Sequence, residues 1–147
     1  MEEEKFRNKY RVKMYQNVIK IPAENGYEDI VRYLYEKGEK CSTYAIDMSA
    51  SNGHLNVVKY LCEMGENCTS YAIVVAAENG HFEVVKYLYE MGKDCDTWAI
   101  DLASKNGHLS IVKYLCEKNE KYTMYAIING TSEVVEYLEK RKELKII

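Results

Sequence analysis

The sequence has no long apolar run and no strong excess of charge of either sign. Its longest uninterrupted apolar run is Tyr71 to Ala77, far shorter than the roughly 20 residues of a membrane-spanning helix. The start of the chain, Met1 to Lys5, has no apolar segment of the kind found in secretory signals. Lysine and arginine total 20 against 23 acidic residues, and the two signs are mixed throughout. Without a basic stripe or an apolar span, we predict that the chain binds neither nucleic acid nor membrane.

Cys-x-x-Cys pairs are also absent, so the five cysteines do not indicate a zinc site. Three of them, Cys41, Cys68 and Cys95, occupy one position of a repeat. If these repeats stack, equivalent positions lie about 8–10 Å apart, which is too far for a disulfide, whose Cα atoms lie within about 7 Å. The odd number of cysteines likewise leaves at least one unpaired. We therefore predict reduced thiols and a reducing compartment, the cytoplasm.

The sequence repeats with a period of 27 residues. The clearest marker is an Asn-Gly turn signal, found at Asn25-Gly26, Asn52-Gly53, Asn79-Gly80 and Asn106-Gly107. A fixed period of this size predicts a solenoid of stacked helical hairpins. We place a charged leader or cap at residues 1–13 and a single repeat domain at residues 14–147. Its repeats run at about residues 14–40, 41–67, 68–94, 95–121 and 122–147.

Each repeat is predicted to form two helices joined by the Asn-Gly turn. In the third repeat, His81, Val84, Val85 and Leu88 follow the i, i+3, i+4, i+7 spacing of one helical face. Residues that favour helix N-caps recur at one position, namely Ser42, Thr69, Asp96 and Thr123. Residues that end helices recur at another, namely Gly38, Gly65, Gly92 and Asn119. We therefore predict an all-α fold of five hairpins with no β-sheet.

The two end repeats depart from the pattern. Pro22 lacks an amide hydrogen and disfavours helix at the residue before it, so we predict a kink or an early end in the first helix. In the fifth repeat, Tyr125 to Ile127 is followed almost at once by Asn129-Gly130, so about one helical turn is missing. Atypical terminal units are expected in repeat proteins, because their outer sides face water.

The run Ala76 to Leu88, with its equivalents Ser49 to Leu61 and Ala103 to Leu115, resembles the helical core of the ankyrin repeat. The resemblance covers nearly the whole chain after Met14. Ankyrin repeats are typically about 33 residues long and begin Thr-Pro-Leu-His, whereas this chain has neither feature. It is similar to short ankyrin repeats without the projecting hairpin, in the style of ankyrin proteins of giant DNA viruses of amoebae. The resemblance implies a protein-binding scaffold.

Histidine recurs at one position of the repeat, as His54, His81 and His108. A shared metal is excluded, since zinc ligands lie about 2 Å from the ion and these imidazoles belong to different repeats. The resemblance implies instead that each histidine locks its turn by hydrogen bonding. A catalytic pair of Cys68 and His81 is disfavoured, because both residue types recur at equal spacing whereas an active site needs one oriented constellation.

An aromatic residue stands one turn into each first helix from the second repeat onward: Tyr44, Tyr71, Trp98 and Tyr125. We call these four residues the aromatic column. On a helical wheel Tyr71 lies opposite the small residues Ala72 and Ala76. The rings can therefore either stack and fill gaps between repeats or serve as interface anchors, a role for which Tyr and Trp are favoured.

Beside the column the repeats differ in charge and size. One such position holds Asp47, Val74, Asp101 and Ile128, and another holds Ser51, Glu78 and Lys105. The packing positions stay nearly constant while these vary, as expected of a surface that selects a partner. We therefore predict partner binding by Tyr44, Asp47, Ser51, Tyr71, Val74, Glu78, Trp98, Asp101, Lys105 and Tyr125.

These patterns predict a non-enzymatic, monomeric scaffold without cofactor or metal, which binds another protein along the first-helix face. For a viral protein the compartment would be the host cytoplasm. The alternative is a structural protein whose copies associate through their end repeats. A third possibility is a thiol-based enzyme or sensor, which requires at least one reactive cysteine.

Overall fold

A computed structural model describes residues 18–118 and 120–143. Throughout this part of the chain, helices alternate with short turns and no residue lies in a strand, which confirms the predicted all-α fold class. The predicted leader at residues 1–13 and the predicted helix stop at Asn119 lie outside the described residues. No helix among the described residues has the length and apolar character needed to cross a membrane.

The helices belong to two compact units that divide between Thr69 and Ser70. The first unit contains α1 (Lys20–Glu24), α2 (Glu28–Glu36), α3 (Thr43–Ser51) and α4 (Leu55–Glu63). The second contains α5 (Tyr71–Glu78), α6 (Phe82–Glu90), α7 (Thr97–Lys105), α8 (Leu109–Glu117), α9 (Met124–Asn129) and α10 (Ser132–Glu143). The single domain at residues 14–147 stays a prediction.

Within each unit the first helices of successive repeats pack against one another, and so do the second helices. In the first unit α1 contacts α3 and α2 contacts α4. In the second unit α7 lies between α5 and α9, while α8 contacts both α6 and α10. Each first helix also packs against the second helix of its own hairpin. Every described hairpin therefore packs both within itself and against a neighbouring hairpin of its unit.

Small and branched side chains divide the core between them. Fully buried alanines line the first helices, and those of the second unit are Ala72, Ala76, Ala77, Ala99, Ala103 and Ala126. The second helices bury Val, Ile and Leu, for example Leu88, Leu115 and Leu138, all at 0% exposure. Each such leucine contributes about 1.5–3 kcal/mol by burial, while the alanines allow close approach of the helix backbones.

The turn between α5 and α6 requires a glycine for two separate reasons. Gly80 has φ +81°, a conformation that residues with a Cβ rarely adopt. A Cβ on Gly80 would also lie 2.6 Å from the Cε1 atom of His108 in the next repeat. The first unit repeats this arrangement with Gly26 and His54. The Asn-Gly signal thus marks a turn and also a place where the next repeat approaches closely.

The predicted early end of the first helix at Pro22 is wrong. Helix α1 ends at Glu24, the position equivalent to Ser51 at the end of α3, so it does not end early. Pro22 is the third residue of α1. The first four amides of a helix have no intrahelical partner, and the missing N–H of Pro22 therefore removes no helical hydrogen bond.

The shortened last hairpin uses threonine where the three hairpins before it use histidine. Helix α9 has six residues against nine in α7, in agreement with the predicted loss of about one turn. The Thr131 amide donates to the Ser104 carbonyl at 3.2 Å. The side chain of Thr131 also faces Gly107, where a Cβ would lie 3.0 Å from Cγ2. Thr131 therefore fills the space beside Gly107, just as His108 fills the equivalent space beside Gly80.

Candidate functional site

Tyr71 and Trp98 project from the first turns of α5 and α7 and are largely open to solvent. Their exposed fractions are 54% and 52%. Helix α7 begins after Asp96, whose Oδ1 accepts hydrogen bonds from the Trp98 amide at 3.4 Å and from the Thr97 hydroxyl at 3.0 Å. This N-cap fixes the first turn of the helix and with it the backbone of Trp98.

A groove of about 300 Å³ lies between these two aromatic side chains. It is lined by Ser70, Tyr71, Val74, Asp96, Trp98 and Leu102. Val74 is only 7% exposed and Leu102 is half-buried, so both contribute apolar surface to the floor. We call this feature the Tyr71–Trp98 groove. It offers apolar walls, two aromatic rings and one carboxylate.

The aromatic surface continues from the groove to α9. The ring centroids of Trp98 and Tyr125 are 6.0 Å apart, with an interplanar angle of 57°, a separation typical of interacting aromatic pairs. Tyr125 is half-buried, and its amide donates to the N-cap hydroxyl of Thr123 at 3.1 Å. Thus Trp98 both borders the groove and contacts the next ring of the aromatic column.

Three of the predicted contact residues, Asp47, Val74 and Asp101, are largely buried. They are 5%, 7% and 2% exposed. The Asp101 carboxylate accepts from the Thr123 amide at 2.9 Å and from its hydroxyl at 2.6 Å. Asp47 binds the amide and hydroxyl of Thr69 in the same way, at 3.1 and 2.8 Å. Each aspartate therefore joins its repeat to the start of the next one.

The other predicted contact residues are distributed over both units. Tyr44 in the first unit is 47% exposed, and Ser51 is half-buried. In the second unit Glu78 is half-buried and Lys105 is exposed at the end of α7. Sequence reasoning missed Leu102 as a groove residue, although its position one helical turn after Trp98 was the available signal.

Two histidines hold their own turns in place by hydrogen bonds to the preceding repeat. The Nε2 atoms of His54 and His108 lie 3.0 and 2.9 Å from the carbonyl oxygens of Glu24 and Glu78. A carbonyl oxygen only accepts hydrogen bonds, so Nε2 must carry the proton in each case. The Asn106 side chain donates to the same Glu78 carbonyl at 2.7 Å. These contacts agree with the turn-locking role that the family resemblance implies for these two residues.

The environment of two cysteines suppresses nucleophilic chemistry. Burial, reinforced by the negative charge of Glu66, raises the pKa of Cys41 to about 12. Burial together with Glu120 raises the pKa of Cys95 to about 12 as well. The thiolate is the reactive form, and it is scarce at neutral pH for both. Among the described residues, no group of three or more His, Cys, Asp or Glu side chains could hold a metal ion.

Comparison with known protein families agrees with the repeat fold. A family model described as ankyrin repeats (three copies) matches the chain at residues 21–101, 46–124 and 73–146. Together the three matches run from residue 21 to residue 146. No curated protein matches the chain significantly.

Proposed function

The chain belongs to the ankyrin-repeat family, whose repeats are protein–protein interaction modules, and we propose that a partner protein docks on the first-helix face of its second unit. The centre of the proposed interface is the Tyr71–Trp98 groove, and Tyr125 extends it. Members of this family are in general non-enzymatic scaffolds, and the raised pKa values of Cys41 and Cys95 support that role here.

One observation carries the proposal: two of the largest side chains of the unit are about half exposed on either side of a groove. Tyr71 and Trp98 keep 54% and 52% of their surface accessible. An aromatic side chain can bury about 150–250 Å², and Tyr and Trp are enriched among the residues that dominate binding energy. Burial of these two rings by a partner would therefore supply a strong central anchor.

The residues next to these rings take part in the packing of the helices. Ala72 and Ala99, which follow Tyr71 and Trp98 directly, are fully buried. The helices can therefore approach closely at these small residues, while the neighbouring rings stay about half exposed. This division supports an interface role for the rings.

The test is an affinity measurement with a partner first isolated by pull-down from cell extract. Trp98→Ala and Tyr71→Ala should each weaken the complex roughly thirtyfold, because truncation of an aromatic anchor costs about 2 kcal/mol or more. Tyr33→Ala is the matched control, since Tyr33 is 59% exposed but lies on the second helix α2. Equal affinities for all four proteins would place the interface elsewhere. Tyr44, Ser51, Glu78 and Lys105 remain predicted contributors, to be tested in the same way.

Self-association through the end repeats is the second candidate. Met124 and Ile128 on α9 are 60% and 73% exposed. Ile128 occupies the position of Asp101 one period later, where Asp101 binds the start of the next repeat. An apolar side chain there could pack against another copy. The molar mass in solution separates the candidates: a monomer at high concentration disfavours self-association.

A further inference from the structure

The first unit places a cation on a ring of the aromatic column. The Nζ atom of Lys20 lies 4.6 Å from the centroid of the Tyr44 ring, within the roughly 6 Å at which a cation and an aromatic face attract each other. Lys20 belongs to the first repeat and Tyr44 to the second. An ammonium group from one repeat thus covers the column ring of the next.

The second unit has the same two positions but no cation at the first of them. Val74 and Trp98 lie 54 residues after Lys20 and Tyr44, which is two periods of 27. Val74 cannot cover the indole with charge, and the Tyr71–Trp98 groove is open at this point. Trp is the ring type that attracts cations most strongly. The groove therefore contains a ring that attracts cations more strongly than Tyr44 does. It lacks the lysine that lies over Tyr44 in the first unit.

Charge at the groove favours a basic occupant. The Oδ1 atom of Asp96 accepts from Thr97 and Trp98, while Oδ2 has no hydrogen-bond partner among residues 18–118 and 120–143. The cation of α7, Lys105, is at the far end of that helix, eight residues from Thr97, or about 12 Å along the axis. The groove lining thus contains one carboxylate and no lysine or arginine.

We propose that the Tyr71–Trp98 groove receives a lysine or arginine side chain of the partner protein. The methylene stem lies along Val74 and Leu102, the cationic group contacts the indole of Trp98, and Asp96 pairs with it. Long basic side chains suit such a site because their stems are apolar and only their ends are charged. This inference rests on the proposed function and names the chemistry that the partner must carry.

The single tryptophan of the chain is the reporter. Trp98 is the only Trp, so its fluorescence and its indole N–H resonance report the groove alone. The probes are two synthetic peptides, acetyl-Gly-Lys-Gly-amide and acetyl-Gly-norleucine-Gly-amide, titrated into the full chain at millimolar concentration. Norleucine has the lysine stem without the ammonium. We expect the lysine peptide to bind at least about fivefold tighter, and the difference to shrink as salt is raised.

Two variants locate the effect. Val74→Lys reproduces in the second unit the relationship of Lys20 to Tyr44, and the lysine peptide should no longer bind. Asp96→Asn removes the charge but keeps a residue suited to the N-cap, and the advantage of lysine over norleucine should fall severalfold. Because Val74 is buried, melting curves accompany both variants. If Val74→Lys unfolds, Asp96→Asn and the salt series decide the outcome.

Equal binding of the two peptides, or binding of neither, would overturn the inference. So would an unchanged preference for lysine in Asp96→Asn. None of these results bears on the proposed function itself, whose test is the affinity of Trp98→Ala for the isolated partner. A groove that accepts norleucine as readily as lysine would still anchor a partner through an apolar side chain.

Discussion

The Nε2 atom of His108 lies 2.9 Å from the backbone carbonyl oxygen of Glu78 in the preceding repeat. Glu78 is the last residue of α5, and the final carbonyls of a helix lack intrahelical partners. One side chain therefore satisfies the end of one helix and fixes the turn of the next hairpin. Because the same imidazole fills the space beside Gly80, the turn and the repeat contact depend on each other.

Removal of this imidazole should destabilise the second unit. His108→Ala leaves the Glu78 carbonyl with one donor fewer and opens a gap beside Gly80, and we expect a loss of about 1–3 kcal/mol in the free energy of unfolding. Chemical denaturation measures the change. Glu117→Ala, an exposed substitution in the same repeat, is the control and should change stability by about 0.5 kcal/mol or less.

Substitutions at two glycines distinguish the cost of backbone strain from the cost of a steric clash. Gly80 and Gly92 have similar φ values, +81° and +74°, but a Cβ would meet His108 at Gly80 and nothing within 4 Å at Gly92. Gly92→Ala should cost about 1 kcal/mol, from strain alone. Gly80→Ala should cost clearly more, and Gly80→Val more again, whereas Lys86→Ala should be nearly neutral. Equal melting shifts for the two alanine variants would contradict the close approach of His108.

The buried aspartates should matter for stability and not for partner choice. Asp101→Ala leaves the amide and hydroxyl of Thr123 without their acceptor, at a cost of about 1–3 kcal/mol. Lys105→Ala, in the same helix but exposed, should leave the melting temperature unchanged. If Asp101→Ala remains folded but binds the partner more weakly, Asp101 contributes to the interface and the prediction is contradicted.

Trp98→Ala should leave the fold largely intact. The indole is 52% exposed, and the described ring contact it makes is with Tyr125, so we expect a loss of about 1 kcal/mol or less. Thermal melting by circular dichroism measures this loss. An unfolded Trp98→Ala protein would mean that the aromatic column serves packing.

Thiol reactivity should be low at neutral pH and should rise steeply in alkali. The pKa values of Cys41 and Cys95 are raised to about 12 from an ordinary 9.0, so their alkylation rates should still be increasing above pH 9. The folded state favours the protonated form of both thiols. Their contribution to the free energy of unfolding is therefore fully present below the pKa of the unfolded chain and is lost as pH rises towards 12. Rates of iodoacetamide modification, resolved by mass spectrometry for each cysteine, test this. Fast modification of either thiol at pH 7 would contradict it.

The sequence predicted the helices and turns well because those features depend on neighbouring residues. The Asn-Gly signal located Gly80 and its positive φ, and the N-cap prediction at Asp96 and Thr123 matches hydrogen bonds in the structure. The roles of Asp47 and Asp101 were not visible, because each binds a threonine 22 residues away. A helical wheel assigns a side chain to a face of its own helix, but it does not show whether the following repeat covers that face.

The groove was only partly predictable for the same reason. Tyr71 and Trp98 were identified by their recurrence and by their position opposite the alanines. The depth of the groove depends on Val74 and Leu102, which come from different repeats. The relationship between Lys20 and Tyr44 likewise spans 24 residues and two hairpins. Such pairs become visible only when the separation between packed repeats is known.

The hydrogen bonds that join successive repeats also constrain how the chain folds. The described bonds of this kind from Asp101, His108 and Tyr89 join residues 22, 30 and 31 positions apart. Contacts this close in sequence give a low contact order and require the closure of only short loops, whose entropic cost is small. Helical proteins of this kind typically fold in microseconds to milliseconds. Folding can therefore begin at any adjacent pair of hairpins within a unit and spread from there one repeat at a time.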